Sequence, residues 1–333
     1  MATIEWNAGE IPVTEENLDE WQDLRITGLN VYIDEDTPRT WKNVLSRLHC
    51  LTSLRVYDYQ VLWGNDGDFE EVYAYAAYSN QLVELVVYTN SGYTLQHSEL
   101  VYLLEWFRRQ PVQEFESDFT DWGYHDFDLR QALCEAMFNC PTMERLRLID
   151  CYLFDMVFPR FTFQMESLKL DEWCLDSDFL IDLAGQLEGS RLTRLELDDC
   201  THDGNIEGIE CLLRVLPLTS TKSLSILGLQ IDCDDWCQLA PLIQYSGLES
   251  LTLNPEHVST EFAQSLATAL QNNHTIGEFH LSQSWIAIPD LQLLIEAMSH
   301  PSRQVKSKRV KLTTANRNIP SPITCLWGFN SSC

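Results

Sequence analysis

A frame of spaced apolar positions, LxxLxL, constrains this chain more than any other feature, and Leu192-Thr-Arg-Leu195-Glu-Leu197 is its clearest copy. Leu195 and Leu197 share an interior only if the backbone is extended, because side chains two apart on a strand point to one face. The frame recurs at Trp21-Gln-Asp-Leu24-Arg-Ile26, Leu51-Thr-Ser-Leu54-Arg-Val56, Leu82-Val-Glu-Leu85-Val-Val87 and Val112-Gln-Glu-Phe115-Glu-Ser117. It continues at Met143-Glu-Arg-Leu146-Arg-Leu148, Met165-Glu-Ser-Leu168-Lys-Leu170, Leu224-Ser-Ile-Leu227-Gly-Leu229, Leu248-Glu-Ser-Leu251-Thr-Leu253 and Ile276-Gly-Glu-Phe279-His-Leu281. A degenerate copy, Ser307-Lys-Arg-Val310-Lys-Leu312, closes the series. The second apolar position advances by 30, 31, 30, 31, 22, 27, 32, 24, 28 and 31 residues, the mark of one supersecondary unit repeated.

The stretches between copies carry helical periodicity. In Ser259 to Asn273, Phe262, Leu266 and Leu270 fall at i, i+4 and i+8. Asp176 to Leu187 and Ile206 to Leu216 repeat the pattern. Acids stand before several of these helices, at Asp34-Glu35-Asp36, Asp66 and Asp68, Asp176 and Asp178, and Asp232 to Asp235. Helix N-termini favour negative charge, so these acids need no functional explanation.

Leu192 to Cys200, a turn at Gly204 and Leu212 to Leu216 on a helix make one whole unit, LxxLxLxxC then LxxxL. It resembles the ribonuclease-inhibitor-like class of leucine-rich repeats over about residues 21 to 313. The resemblance implies an α/β fold: a curved leucine-rich repeat solenoid, or horseshoe, of about 11 repeats, with parallel strands on the concave face and helices on the convex face. It also implies protein binding on the concave face, and no shared active site. The sequence departs from the pattern at Ser117, which replaces an apolar residue, and at Cys151 to Gln164, a short unit holding Pro159 that lacks room for a regular helix.

The expected organisation is an N-terminal cap over residues 1-20, with a short amphipathic helix at Val13 to Trp21, then the array over 21-313. A C-terminal cap or tail spans 314-333, where Cys325-Leu-Trp-Gly-Phe329 folds back as a hydrophobic lid. A repeat array grows by adding units, so 333 residues do not imply two domains. Met1 to Glu20 has neither the basic nor the apolar region of a secretory leader, and no apolar run approaches the roughly 20 residues of a membrane helix. A cytoplasmic protein is expected.

The net charge of −28 repels nucleic acid and anionic membranes and points to a protein partner carrying a basic patch. Eleven singly scattered cysteines read as small core residues in a reducing compartment, and Cys233-x-x-x-Cys237 lacks the second pair a zinc site needs. Asp199 to Glu210 mimics an EF-hand calcium loop, with acids at positions 1, 5 and 12 and Gly204 at 6, but a strand precedes it where a helix is required. No nucleophile elbow, HExxH or phosphate-binding glycine loop is present. The expectation is therefore no metal, no cofactor and no catalysis. The sequons at Asn273 and Asn330 carry no weight without a secretory route.

The frame assigns the residues beside and between its last two apolar positions to the concave face. The partner-binding candidates are Arg25, Arg55, Tyr57 and Tyr88, then Glu116, Asp118 and Arg147. Lys169, Asp171, Glu196, Asp198 and His280 follow in later repeats. Arginine with tyrosine on adjacent strands is the composition of an interface anchor. Pro301 to Cys333 carries no acid, and Lys308-Arg-Val-Lys-Leu312 resembles a nuclear-localisation core, although the same residues fit the last strand. Two other functions fit a repeat protein. One is regulation of a GTPase, since Ran GTPase-activating proteins are similar in period but carry an acidic tail. The other is substrate recognition for a ubiquitin ligase, for which the first 20 residues leave little space.

Overall fold

The computed structural model describes residues 2–7, 25–33, 44–58, 69–89, 93–118, 127–150, 160–202, 204–229, 231–282, 284–303, 305, 309–313 and 324–327. The chain divides into two compact units, Met1–Glu166 and Ser167–Cys333. Each is an α/β structure of parallel strands linked through helices.

In the first unit, strands β1 (Ala2–Asn7), β2 (Ile26–Ile33), β3 (Ser53–Asp58), β4 (Glu84–Tyr88), β5 (Glu114–Ser117) and β6 (Arg145–Ile149) pair in chain order, every pair parallel. Parallel neighbours need a crossover of a dozen or more residues, and the spacing of the frame supplies it. Helices α1 (Glu70–Tyr78), α2 (His97–Arg109) and α3 (Phe127–Phe138) make three of these crossovers. Leu29, Leu54, Leu85, Phe115 and Leu146 align across the strands, and all are buried. Helix α2 buries Leu100, Leu103, Leu104, Trp106 and Phe107, and the Trp106 indole donates to the Leu82 carbonyl at 2.9 Å. Each of those large apolar side chains contributes roughly 1.5–3 kcal/mol on burial.

The second unit repeats the scheme with β7 (Ser167–Asp171), β9 (Arg194–Asp198), β11 (Ser223–Ile226), β12 (Ser250–Leu253), β14 (Glu278–Leu281) and β16 (Arg309–Thr313), again parallel. Its helices are α4 (Ser177–Leu187), α5 (Glu207–Val215), α6 (Cys233–Ile243), α7 (Thr260–Asn272) and α8 (Ile288–Met298). Two-residue pairs, β8 (Cys174–Leu175) with β10 (Thr201–His202) and β13 (His257–Val258) with β15 (Trp285–Ile286), lie beyond the strand ends. Strand β17 (Thr324–Trp327), inside the segment expected to fold back, runs antiparallel against β16. Asp176 caps α4 by accepting from the Phe179 amide at 2.7 Å.

Two copies of the frame sit differently from expectation. Leu29 and Val31 align with Leu54 and Val56, so the first strand with this frame reads Ile26-Thr-Gly-Leu29-Asn-Val31 rather than Trp21 to Ile26. Leu224 and Ile226 align with Leu195 and Leu197, three residues earlier than expected. Thr221 fills the first apolar position there, buried, with its hydroxyl donating to the Leu192 carbonyl at 3.2 Å. Residues 2–7 form a strand, while the expected helix at 13–21 and residues 151–159 of the short unit Cys151 to Gln164 lie outside the described residues.

The strand exits share one turn. Asp150, Glu172, Asp199 and Gly228 each stand four residues after the aligned apolar position and adopt φ of 50°, 59°, 46° and 77°. An ideal Cβ at Gly228 would lie 2.6 Å from the Asp199 Cα, so only glycine fits there. Asn273 is 1% exposed, and its amide donates to the Ile243 and Gln244 carbonyls while accepting from the Thr275 and Ile276 amides. That sequon is a structural fastening.

Candidate functional site

Alternation along each strand turns one side chain into the core and the next onto the opposite, polar face. In the first unit this polar face holds three aligned rows. Gly28, Ser53, Glu84, Glu114 and Arg145 form the first, and Asn30, Arg55, Val86, Glu116 and Arg147 the second. Tyr32, Tyr57 and Tyr88 make the third.

The tyrosines stack. Tyr32 and Tyr57 have ring centroids 5.1 Å apart with planes 12° apart, and Tyr57 and Tyr88 follow at 5.3 Å and 13°. The register of adjacent parallel strands, roughly 4.8 Å apart, imposes this spacing once the same position carries a ring in each. All three rings are half-buried, which leaves an aromatic strip on the surface.

Beside the strip the charges are paired within the chain. Glu114, 7% exposed, accepts from Arg55 Nη2 at 3.0 Å and from Arg145 Nε at 3.0 Å. The Arg55 bond reaches from β3 to β5, over the column of Val86, which is fully buried despite its polar-face position. Arg147 Nη1 donates to Glu116 Oε1 at 2.5 Å and to the Tyr88 hydroxyl at 2.7 Å, and the Tyr88 hydroxyl donates to Glu116. The Arg147 guanidinium also lies 5.9 Å from the Tyr88 ring centroid, in cation–π range. Burial, then the hydrogen bond to Glu116, raises the Tyr88 phenol above its ordinary pKa.

Asp118 follows β5 next to this row. Its carboxylate accepts from the Thr89 amide at 2.5 Å and the Thr89 hydroxyl at 3.0 Å. Burial pushes its pKa up to about 7, the Asp58 charge adds to the rise, and the Thr89 hydrogen bonds oppose it.

In the second unit Lys169 Nζ sits 2.6 Å from Asp198 and 3.2 Å from Asp171. The carboxylates of Asp171, Asp198 and Asp199 lie within 4.8 Å of one another, with Lys169 as the internal counter-ion. Glu196 aligns with Lys169 and lies 3.8 Å from Arg194. His280 aligns with Lys311, and burial followed by that neighbouring charge lowers its pKa.

Of the expected binding residues, Arg55, Tyr57, Tyr88, Glu116, Asp118 and Arg147 come together on the first unit's polar face. Lys169, Asp171, Glu196, Asp198 and His280 lie on the corresponding face of the second. Arg25 is displaced: it precedes β2 in an exposed turn at φ 47°, a position the five-residue shift in frame explains. The same shift hid Tyr32, although Val31-Tyr32, Val56-Tyr57 and Val87-Tyr88 share a dipeptide that would have fixed the frame. Arg55 and Arg147 are each engaged by an acid of their own chain.

Cys50, Cys134, Cys140, Cys200, Cys211, Cys233 and Cys237 are free thiols, and Cys134, Cys140 and Cys200 are buried. Arg303, in the acid-free stretch that begins at Pro301, is buried and donates to the Leu270 and Ile276 carbonyls. Arg309 and Lys311 belong to β16, which is paired on both edges. Among the described residues no helix is long and apolar enough to cross a membrane. No family model matches the chain, and no curated protein matches it.

Proposed function

We propose that the chain is a leucine-rich repeat protein of the ribonuclease-inhibitor-like class that binds a protein partner on its polar strand face, without catalysis or cofactor. The observation that carries this reading is the Tyr32–Tyr57–Tyr88 strip, half-exposed and stacked, held beside a lattice of paired charges. Aromatic side chains locked before binding lose little entropy when a partner arrives, which is the property of an interface anchor. Recurrence of the strand frame at intervals of 22 to 32 residues supports the repeat class. The charge of −28 supports a partner with a basic surface.

Capture of partners by the full chain, compared with Tyr57→Ala/Tyr88→Ala, tests the reading. Specific partners are expected to be lost from the variant while its circular dichroism stays that of the parent. Equal capture by both proteins would remove the strip from consideration. Arg55 is a poor choice for this test, because its loss removes one of the two arginines held on the buried Glu114 and perturbs the fold itself.

A further inference from the structure

We infer that the polar strand face of the second unit holds a phosphate ester on a side chain of the partner, with Lys311 as its counter-charge and Thr252, Asn254 and His280 as further hydrogen-bond donors. The inference rests on the recognition reading above, carries it to the second unit and names its chemistry there.

Register brings the four residues together. Thr252, His280 and Lys311 are aligned on β12, β14 and β16, three adjacent parallel strands. Asn254 stands two residues after Thr252 and shares its face, and its backbone N–H continues the ladder by donating to the Ile226 carbonyl at 3.1 Å. Neighbouring strands lie roughly 4.8 Å apart and alternate residues on one strand roughly 6.6 Å apart, so one oxyanion above His280 is within side-chain reach of all four. All four side chains are half-buried, held in place yet open to a ligand. The Thr252 hydroxyl and the Asn254 carboxamide make no hydrogen bond with another described residue.

Charge sets this corner apart. Elsewhere on the polar faces basic side chains meet acids: Arg55 and Arg145 on Glu114, Arg147 on Glu116, and Lys169 on Asp171 and Asp198. Lys311 has no acidic partner among the described residues. Its charge acts on the His280 imidazole instead, whose pKa is lowered by burial and then by Lys311. The nearby charges on the same face are Arg309 and the exposed Glu278, which align without forming an ion pair. Arg309 and Lys311 against Glu278 leave one positive charge in excess.

Charge and donor number both favour phosphate over carboxylate. A phosphorylated serine or threonine brings a charge of about −1.5 to −2 and three strong acceptor oxygens, enough for an ammonium and the neutral donors around it. Its arrival also offsets the repulsion between Lys311 and a protonated His280. The net charge of −28 belongs to the whole chain and is screened beyond roughly 8 Å at physiological salt. A phosphate is therefore read at contact, while the partner's surface around it is basic.

The probe is a fluorescent, end-capped short peptide of glycine and alanine with one central phosphoserine, titrated into the full chain at low and at physiological salt. Matched peptides carry serine or glutamate at that position. The phosphoserine peptide is expected to bind at least about tenfold more tightly than either. Lys311→Gln and Thr252→Ala/Asn254→Ala, each with the circular dichroism of the parent, should weaken it about tenfold. Lys222→Gln removes an equal charge from an exposed position before β11, outside the site, and should change affinity less than about twofold. No preference for phosphoserine, equal binding of the glutamate peptide, or equal losses from Lys311→Gln and Lys222→Gln would overturn the inference. A natural partner lost from Tyr57→Ala/Tyr88→Ala, yet captured equally by Lys311→Gln and after phosphatase treatment, would overturn the phosphate assignment alone. A partner indifferent to both variants would remove the recognition reading as well.

Discussion

Tyr57 lies parallel to Tyr88 on the adjacent strand, ring centroids 5.3 Å apart, and the Tyr88 hydroxyl then joins Glu116 and Arg147. The Tyr88 phenolic oxygen ties the aromatic strip to the charged lattice.

Tyr88→Phe keeps the ring and its stacking but removes that oxygen. It should cost about 1 kcal/mol, the net value of a hydrogen bond. A double-mutant cycle with Glu116→Gln should show coupling of roughly 0.5–3 kcal/mol in urea denaturation, because the two side chains share one network.

Asp118 has a folded pKa of about 7, above the ordinary carboxyl range. Between that range and pH 7 the native state holds a proton that the unfolded chain has released, so stability falls as pH rises through this window. Asp118→Asn removes the slope and retains an acceptor for Thr89. The variant should be more stable than the parent at pH 8, by roughly 1–2 kcal/mol, and close to it near pH 4.5. Denaturation midpoints across pH check both halves of the statement.

Ser117 is 0% exposed in the core row between Val87 and Leu148, and its hydroxyl has no hydrogen-bond partner among the described residues. Removing an unsatisfied buried hydroxyl relieves a desolvation cost. Ser117→Ala should raise stability by about 1 kcal/mol, read as a higher urea midpoint with unchanged slope.

Gly228 and Asp199 occupy equivalent left-handed turns on neighbouring strands, with opposite expected responses to mutation. Gly228→Ala drives a methyl into the Asp199 backbone and should destabilise by about 2 kcal/mol or more. Asp199→Gly relieves a non-glycine φ of 46° and should stabilise by up to about 1 kcal/mol. Thermal unfolding of the two single variants would move in opposite directions.

The strands and helices were largely legible because a two-residue alternation and a 3.6-residue period are imposed by geometry wherever one side is buried. The frame misled where a polar residue took an apolar place. Thr221 holds a core position by donating to a carbonyl, so Leu227 and Leu229 offered a more apolar but false alternative. Near the start, regular spacing favoured Leu24 over Leu29, and Arg25 displaced Tyr32 from the expected face. The polar face itself was legible as a list of residues. Its pairing was not, since the Arg55–Glu114 and Arg147–Tyr88 bonds each join residues 59 apart in the chain. Periodicity places side chains on a face but does not say which neighbour a long arginine reaches. Nor does it show that Thr89 and burial together set the ionisation of Asp118.

Those two long-reaching bonds bear on how the first unit folds. A stack of strand–helix units is commonly treated as a row of nearest-neighbour couplings, in which each unit's gain depends only on those it touches. Arg55 on β3 and Glu114 on β5 skip the strand between them, as do Arg147 on β6 and Tyr88 on β4. They are second-neighbour couplings, formed only when three consecutive units are in place. The cooperative length of this segment therefore exceeds one interface, and a partly unfolded first unit loses its paired polar face before it loses its hydrophobic core.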